Sequence, residues 1–455
     1  IDGSGDGQIT GNFTIQRYLP SGYGYRYISS PFQSATVNEL SPEVNLGSSF
    51  PLVYRYDEDR TSSGWVSYIA PAGILNPLQG YSANFGSLHD PELLDMTGLV
   101  NNGAYSVTLY NHGRTYTNGM NLVGNPYPSP IDWDAASGWT KTNINDAIYF
   151  FRPGATDQYG GTYSSYVNGM SSDGFASNII PSMQGFFVQV SSAGIPVTGI
   201  LGMNNQVRVN DFSQQYAKSA AKAESSQLRL SASFSSDTTK NDFLLIYQDD
   251  KAADTFNYMT EAIKIFNTDL AVPNIYALSS DAQKLSIRTV VPSEGEALQI
   301  PLGVKANKAG TLVFSLKTLS GSFEGNDVYL TDLTAGINQR LNNGGEYSVY
   351  LPKAEYLNRF RLDLNAVTVG AEDDPAEKFE LSAWYSNGIL KARIETVLAG
   401  RGIIRLSNLT GHRILEETVT DGGFYEYGVT LKSGIYILTL ETGNIRMVRK
   451  FIVNR

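Results

Sequence analysis

The feature that most constrains this fold is a long internal repeat. Within the first 200 residues, Gly11-Asn-Phe-Thr-Ile-Gln-Arg-Tyr18 is matched by Gly103-Ala-Tyr-Ser-Val-Thr-Leu-Tyr110, and Ser29-Ser-Pro-Phe32 by Gly124-Asn-Pro-Tyr127. Further along, Val53-Tyr-Arg-Tyr56 aligns with Ile148-Tyr-Phe-Phe151, Trp65-Val-Ser-Tyr68 with Tyr163-Ser-Ser-Tyr166, and Leu78-Gln-Gly-Tyr81 with Met183-Gln-Gly-Phe186. The order is the same in both copies, about 11–100 and 103–198. The offset starts at 92 residues and widens to 105, which places a longer Gly/Ser loop in the second copy between Arg152 and Asn178. A unit of about 95 residues is too long for a solenoid repeat and suits two related β modules packed together.

Each copy is built from short runs rich in Tyr, Val, Ile, Phe and Thr, punctuated by Gly, Asn, Asp, Ser and Pro, and the same texture continues to the end of the chain. Phe13–Tyr18, Tyr105–Tyr110, Leu228–Phe234, Phe243–Tyr247 and Ile435–Leu440 are examples. The one helical pattern is Phe212–Ala223, rich in Ala and Lys with no strong apolar face, so residues 211–226 read as a helical connector after a duplicated module over 1–210. Residues 227–365 have the strand spacing of a β-sandwich, with hairpin-type signals at Glu294-Gly295, Ala309-Gly310 and Gly344-Gly345. An acidic, Pro-containing stretch at 366–378 reads as a linker, and 379–455 divide into about seven short strands. The expected architecture is all-β: tandem β-sandwich or jelly-roll-like modules, then a small immunoglobulin-like C-terminal β-sandwich. A length of 455 residues fits roughly three domains.

Composition narrows the function. A formal charge of −10 without a concentrated basic stripe argues against nucleic acid as a partner. No run reaches the roughly 18 apolar residues of a membrane-spanning helix. The first residue is Ile1 with no signal-like region after it, which reads as a start within a longer protein. There is no Cys, so cysteine nucleophiles are excluded; that also fits an exported chain, though it is a weak clue.

Catalytic patterns are scarce. The three histidines, His89, His112 and His412, have no zinc-site spacing, and no strained-turn serine motif accompanies them. Asp57, Glu58, Asp59, Asp132 and Asp134 offer carboxylates for glycoside chemistry, but the second copy replaces the first cluster with Arg152-Pro-Gly, as expected of a solvated loop. No catalytic residue is assigned, and the chain is read as a non-enzyme. Asp2, Ser4 and Asp6 lie in Asp2-Gly-Ser-Gly-Asp-Gly-Gln-Ile9 with the oxygen spacing of a calcium loop, but Phe13 stands where the bidentate Glu belongs. That segment reads as a Gly-rich linker, with a partial calcium site as the alternative and no other cofactor. Trp65, Tyr68, Tyr163 and Tyr166 flank the least regular loops and are the first choices for a ligand surface, although strand aromatics are more often core.

The C-terminal residues carry a family resemblance. Leu431-Lys-Ser-Gly-Ile-Tyr-Ile-Leu-Thr-Leu440, the Thr442-Gly-Asn turn and Met447-Val-Arg-Lys-Phe-Ile-Val453 resemble the type A C-terminal sorting domain of cargo proteins of the Bacteroidota type IX secretion system. Ile404 to Ile414 is similar to that family's strand, polar turn, Gly, basic residue and strand element, with Gly411, Arg413, Gly434, Ile435 and Tyr436 matching best. Asn408 stands where Asp is usual, and the early Pro-Asn-Pro motif is absent. Gly119 to Trp133 and Ile180 to Val188 are similar to β-rich regions often found ahead of such domains.

The resemblance implies export across the outer membrane, with the folded domain recognised by the translocon and its shuttle β-barrel. Arg449 and Lys450 on the last strand are added to the recognition set as a basic edge, with protection of an edge strand from aggregation as the alternative reading. Period-two alternation puts Tyr436, Leu438 and Leu440 on one face of the preceding strand. The expected protein is a secreted, cell-surface binding or structural protein, with a glycan or surface protein as partner of its β modules. The alternatives are the C-terminal accessory region of a secreted hydrolase and a carbohydrate-binding adhesin.

Overall fold

In a computed structural model of the chain, the described residues are 10–192, 194–210, 226–291, 298–364, 381–386, 388–394, 401–408, 411–421, 423–442 and 445–453. Within them the regular structure consists of strands and short 3-10 turns, as an all-β chain requires. The expected acidic linker, and all of the expected helical connector but Ser226, lie outside the described residues. The chain divides into two compact units, Ile1–Val367 and Thr368–Arg455.

At the start of the larger unit, strand Phe13–Leu19 pairs antiparallel with Glu92–Gly98. Between them a four-stranded sheet runs Tyr25–Ile28, Tyr81–Asn84, Val53–Tyr56, Trp65–Ser67. The next stretch has the same pairing order. Tyr105–Asn111 pairs with Val197–Met203, while Met120–Gly124, Gly185–Val190, Ile144–Pro153 and Gly161–Val167 lie side by side.

Aligned positions of the two copies meet each other reciprocally. Ile28 bridges Gln184, and its counterpart Val123 bridges Gln79, the counterpart of Gln184. Ser29 N–H donates to Met183 O at 3.2 Å and Gly124 N–H to Leu78 O at 3.0 Å, again counterpart for counterpart. Contacts of the form i to j and j to i are the mark of a two-fold relation. They also explain the Gln-Gly-aromatic signature. A Cβ on Gly80 would lie 2.4 Å from Val123 O, and one on Gly185 would lie 2.9 Å from Ile28 O, so each copy's backbone occupies the space where the other's side chain would stand.

The described strands between residues 227 and 364 form one continuous sheet around a core that includes Leu230, Phe234, Leu244, Ile275, Leu302, Phe314 and Phe360. The run Phe243-Leu-Leu-Ile-Tyr247 is apolar throughout because both its faces are covered. Leu244 and Ile246 enter this core, whereas Leu245 and Tyr247 join Tyr149, Phe187 and Ile287 in a second core shared with the second copy. Two turn expectations need correcting. The strands flanking Ala309-Gly310, Leu298–Ala306 and Gly310–Ser320, pair with other strands and not with each other. Those flanking Gly344-Gly345 do likewise. Both dipeptides carry the chain between strands that are not neighbours in the sheet, a role that needs tight backbone but no hairpin; Glu294-Gly295 lies outside the described residues.

The smaller unit has seven described strands in two antiparallel sheets. One runs Leu381–Ser386, Ile389–Ile394, Gly423–Gly428 and the other Arg413–Val419, Gly402–Asn408, Gly434–Thr442, Ile445–Val453. They enclose their own core of Leu390, Ala392, Ile404, Leu406, Leu438 and Leu440, so the immunoglobulin-like sandwich is present.

Candidate ligand site

Alternation builds an aromatic chamber in the larger unit. Tyr25 and Tyr27 share one face of their strand, and Tyr54 and Tyr56 share one face of theirs. Trp65 pairs directly with Tyr56 across the next strand, and their rings meet edge-on at 5.0 Å. The second copy supplies Phe151 and Tyr163, a cross-strand pair. Tyr27 packs on Phe151 at 5.0 Å, and its hydroxyl is 2.7 Å from that of Tyr163. The result is a cavity of about 310 Å³ walled chiefly by Tyr25, Tyr27, Tyr54, Trp65, Tyr159 and Tyr163.

Burial governs the chemistry of these phenols. It pushes the Tyr25 and Tyr163 hydroxyls up to about 12 and Tyr27 well above its ordinary value. At neutral pH all three are therefore protonated donors and acceptors, not bases. Ser82 and Thr268 add hydroxyls, and among the described residues no carboxylate, histidine or lysine lines the chamber. Flat aromatic faces edged with hydroxyls are suited to holding a ring-shaped, hydroxylated ligand, not to moving its protons.

Two of the four aromatic candidates, Trp65 and Tyr163, come together here. Tyr68 instead stacks on Tyr81 at 5.4 Å and donates to Ile74 O at 2.8 Å beside the first copy's core. Tyr166 is buried and donates its hydroxyl to Asp134. Tyr25, Tyr27 and Tyr54 were missed; the alternating Tyr23-Gly-Tyr-Arg-Tyr27 was the available signal.

The acidic cluster differs from the solvated loop expected of it. Glu58 is 5 % exposed and lies 2.6 Å from His112 Nδ1, accepts the His112 N–H and has its carbonyl bonded by Thr117 at 2.6 Å. Asp59 pairs with Arg114 at 2.7 Å. These residues fasten one copy to the other. Asp132 accepts the Asp134 N–H at 2.9 Å, and Asp134 is pushed above the usual carboxylate range, chiefly by burial.

In the smaller unit Gly411 is exposed at a positive φ of 81°, and Arg413 is exposed and paired with Glu416. Gly434 is exposed and Ile435 half-buried, but Tyr436 belongs to the core, stacked on Phe451 at 6.0 Å with its hydroxyl donated to Lys432 O at 2.9 Å. Leu438 and Leu440 point the same way, so that face packs inside the sandwich. Arg449 and Lys450 are exposed on Ile445–Val453, the last strand of its sheet. Asp2, Ser4 and Asp6 lie outside the described residues. Among the described residues there is no cluster of three His, Cys, Asp or Glu able to hold a metal, and no helix long and apolar enough to cross a membrane.

The chain belongs to the family described as Domain of unknown function (DUF8693), whose model matches residues 4–364. It is similar to the minor fimbrium subunit Mfa5 of Porphyromonas gingivalis, 25 % identical over 366 residues, covering 74 % of this chain and 27 % of that protein. The chain thus spans about a quarter of that relative's length. A solved structure of a biofilm associated protein, its BSP domain, aligns over 97 % of this chain and 95 % of that one with 9 % identity and a TM-score of 0.15, too low to carry any argument.

Proposed function

We propose that this chain is part of a secreted, cell-surface binding and structural protein of the fimbrium-associated kind, exported across the outer membrane through the type IX secretion system by its C-terminal unit. The observation that carries the surface role is the similarity to a fimbrium subunit over three-quarters of the chain. Support for the export role comes from a terminal unit with its own sandwich core and the motif residues Gly411, Arg413, Gly434 and Ile435 at or near its surface. Arg449 and Lys450 offer cations at a sheet edge to the translocon or shuttle β-barrel. In this reading the repeated β modules act as binder or spacer.

The test is surface exposure in a type IX-competent cell. Delivered to the periplasm by an added leader, the whole chain should become accessible to added protease on intact cells, and a version ending at residue 367 should stay protected in the periplasm. Equal protease access for both would overturn the export role.

The adhesin reading is favoured by one specific observation, the phenol-edged chamber around Trp65 and Tyr163, which suits a sugar ring. Loss of glycan-array binding on Trp65→Ala, with binding kept on Tyr68→Ala, is its expected result.

A further inference from the structure

A second cavity, of about 400 Å³, shares the Tyr27 and Phe151 rings with the chamber but differs from it in charge. Arg17, Arg26 and Arg152 line it, and among the described residues no carboxylate residue does. In a chain of formal charge −10 this is a local reversal of sign.

The guanidinium groups are held in place. Arg17 Nη1 donates to Met183 O at 2.7 Å and Nη2 to the Gln184 side-chain oxygen. Arg26 Nη2 donates to Ser21 O at 2.7 Å. Arg152 Nη2 reaches Asp173 at 2.6 Å, and its guanidinium lies 4.5 Å from the centre of the Phe175 ring. The Nε of Arg152 is buried without a hydrogen-bond partner, so the face of this guanidinium open to a ligand is its Nη side. Beside these cations Tyr23 and His89 stack at 4.1 Å with their planes 9° apart, an aromatic pair in the cavity lining.

We propose that this cavity binds a carboxylated pyranose, the uronate or sialate unit of an acidic glycan. Its carboxylate meets the guanidinium groups and its ring face meets the Tyr23 and His89 pair. Arg is the residue suited to fork-like recognition of a carboxylate, and positions fixed beforehand lower the ordering cost of binding. The volume is at the low end of small-molecule clefts, roughly 300–1,000 Å³, which suits a sugar unit better than a peptide segment. The inference rests on the binding reading above and names a ligand class for a site of its own.

The experiment is calorimetric titration of the whole chain with glucuronate, N-acetylneuraminate, glucose and inorganic phosphate. At least one acidic sugar should bind at least tenfold more tightly than glucose and weaken as salt is raised, and which acid binds tells uronate from sialate. Arg152→Gln should reduce that affinity at least tenfold. Because this change strands Asp173, the pair Arg152→Gln with Asp173→Asn is measured too, each variant first checked for an unaltered thermal transition. Tyr23→Ala should weaken the acidic sugar but not salt-dependent phosphate binding. No binding of either acid, binding of phosphate as tight as that of the acids, or unchanged affinity in the paired variant would overturn the proposal. Glycan binding that depends on Trp65 while both acids fail would overturn this site alone and leave the adhesin reading standing.

Discussion

The Tyr27–Tyr163 contact gives a measurable coupling between the two copies of the repeat. Tyr27 is 3 % exposed, and its hydroxyl lies 2.7 Å from that of half-buried Tyr163. Tyr163→Phe removes one partner and leaves a buried hydroxyl behind, at a cost of about 1–3 kcal/mol. Tyr27→Phe leaves the less buried hydroxyl and should cost about 1 kcal/mol. Removing both hydroxyls leaves neither stranded, so the double variant should be more stable than the sum of the singles by about 1 kcal/mol.

The same pair is one of several buried tyrosine contributions to the loss of stability at alkaline pH. Burial raises the folded-state value of Tyr163 to about 12. The folded chain therefore holds a proton that the unfolded chain gives up near pH 10. Stability from this group is complete below about pH 10 and is lost as pH rises toward about 12, at up to about 1.4 kcal/mol per pH unit. Tyr163→Phe should flatten that loss. The assay is urea unfolding followed by tryptophan fluorescence at pH 7 to 11.5; of the four Trp, Trp65, Trp133 and Trp139 report on the larger unit. Additive singles, within about 0.3 kcal/mol, together with an unchanged alkaline slope would refute the reasoning.

Three further expectations follow from other parts of the molecule. Gly80→Ala or Gly185→Ala forces a Cβ against the opposite copy's carbonyl and should cost about 2 kcal/mol or more, read as a lower urea midpoint; an unchanged midpoint in both variants would remove the reciprocal contact from the account. Asp332 is fully buried, and hydrogen bonds from Arg359, the Ala335 N–H and Tyr347 outweigh the upward push of burial and hold its carboxyl below the usual range. Its contribution is thus present above about pH 4 and lost as pH falls through the lowered folded value, and Asp332→Asn should remove about 3 kcal/mol at pH 7 and shrink the acid-side loss in a pH series of melts. Glu58→Gln keeps the shape but loses the charge facing His112 and should lower the thermal midpoint by a few degrees, an effect absent in Asp57→Asn, whose side chain is not part of that network.

Legibility in the sequence followed the range of the interaction. Strands were readable because their pattern is local, as in Phe13–Leu19, where alternation leaves Thr14, Gln16 and Tyr18 exposed while Ile15, Arg17 and Leu19 turn inward. The apolar run at Phe243–Tyr247 was readable as a strand but not as one covered on both faces, since that depends on what packs against it. Ala309-Gly310 has hairpin chemistry yet serves a crossover, because dipeptide preference does not encode which strand the chain pairs with next. Glu58 looked like a loop acid; its burial depends on His112 and Thr117, more than 50 residues away. Trp65 and Tyr163 were legible as candidates, but the chamber they share with Tyr27 exists only through packing between copies. In the last unit the Tyr436 motif was visible, whereas its inward face was decided by the sandwich core.

The central claim is that the terminal unit is a self-contained export signal. Its most direct measurement attaches residues 376–455 to a neutral fluorescent protein delivered to the periplasm by an added leader in a type IX-competent cell, and compares the medium and cell surface with the periplasm. The account predicts export of the fusion and retention in the periplasm when Ile435–Arg455 is deleted. Export of the shortened fusion, or retention of the intact one, would contradict it.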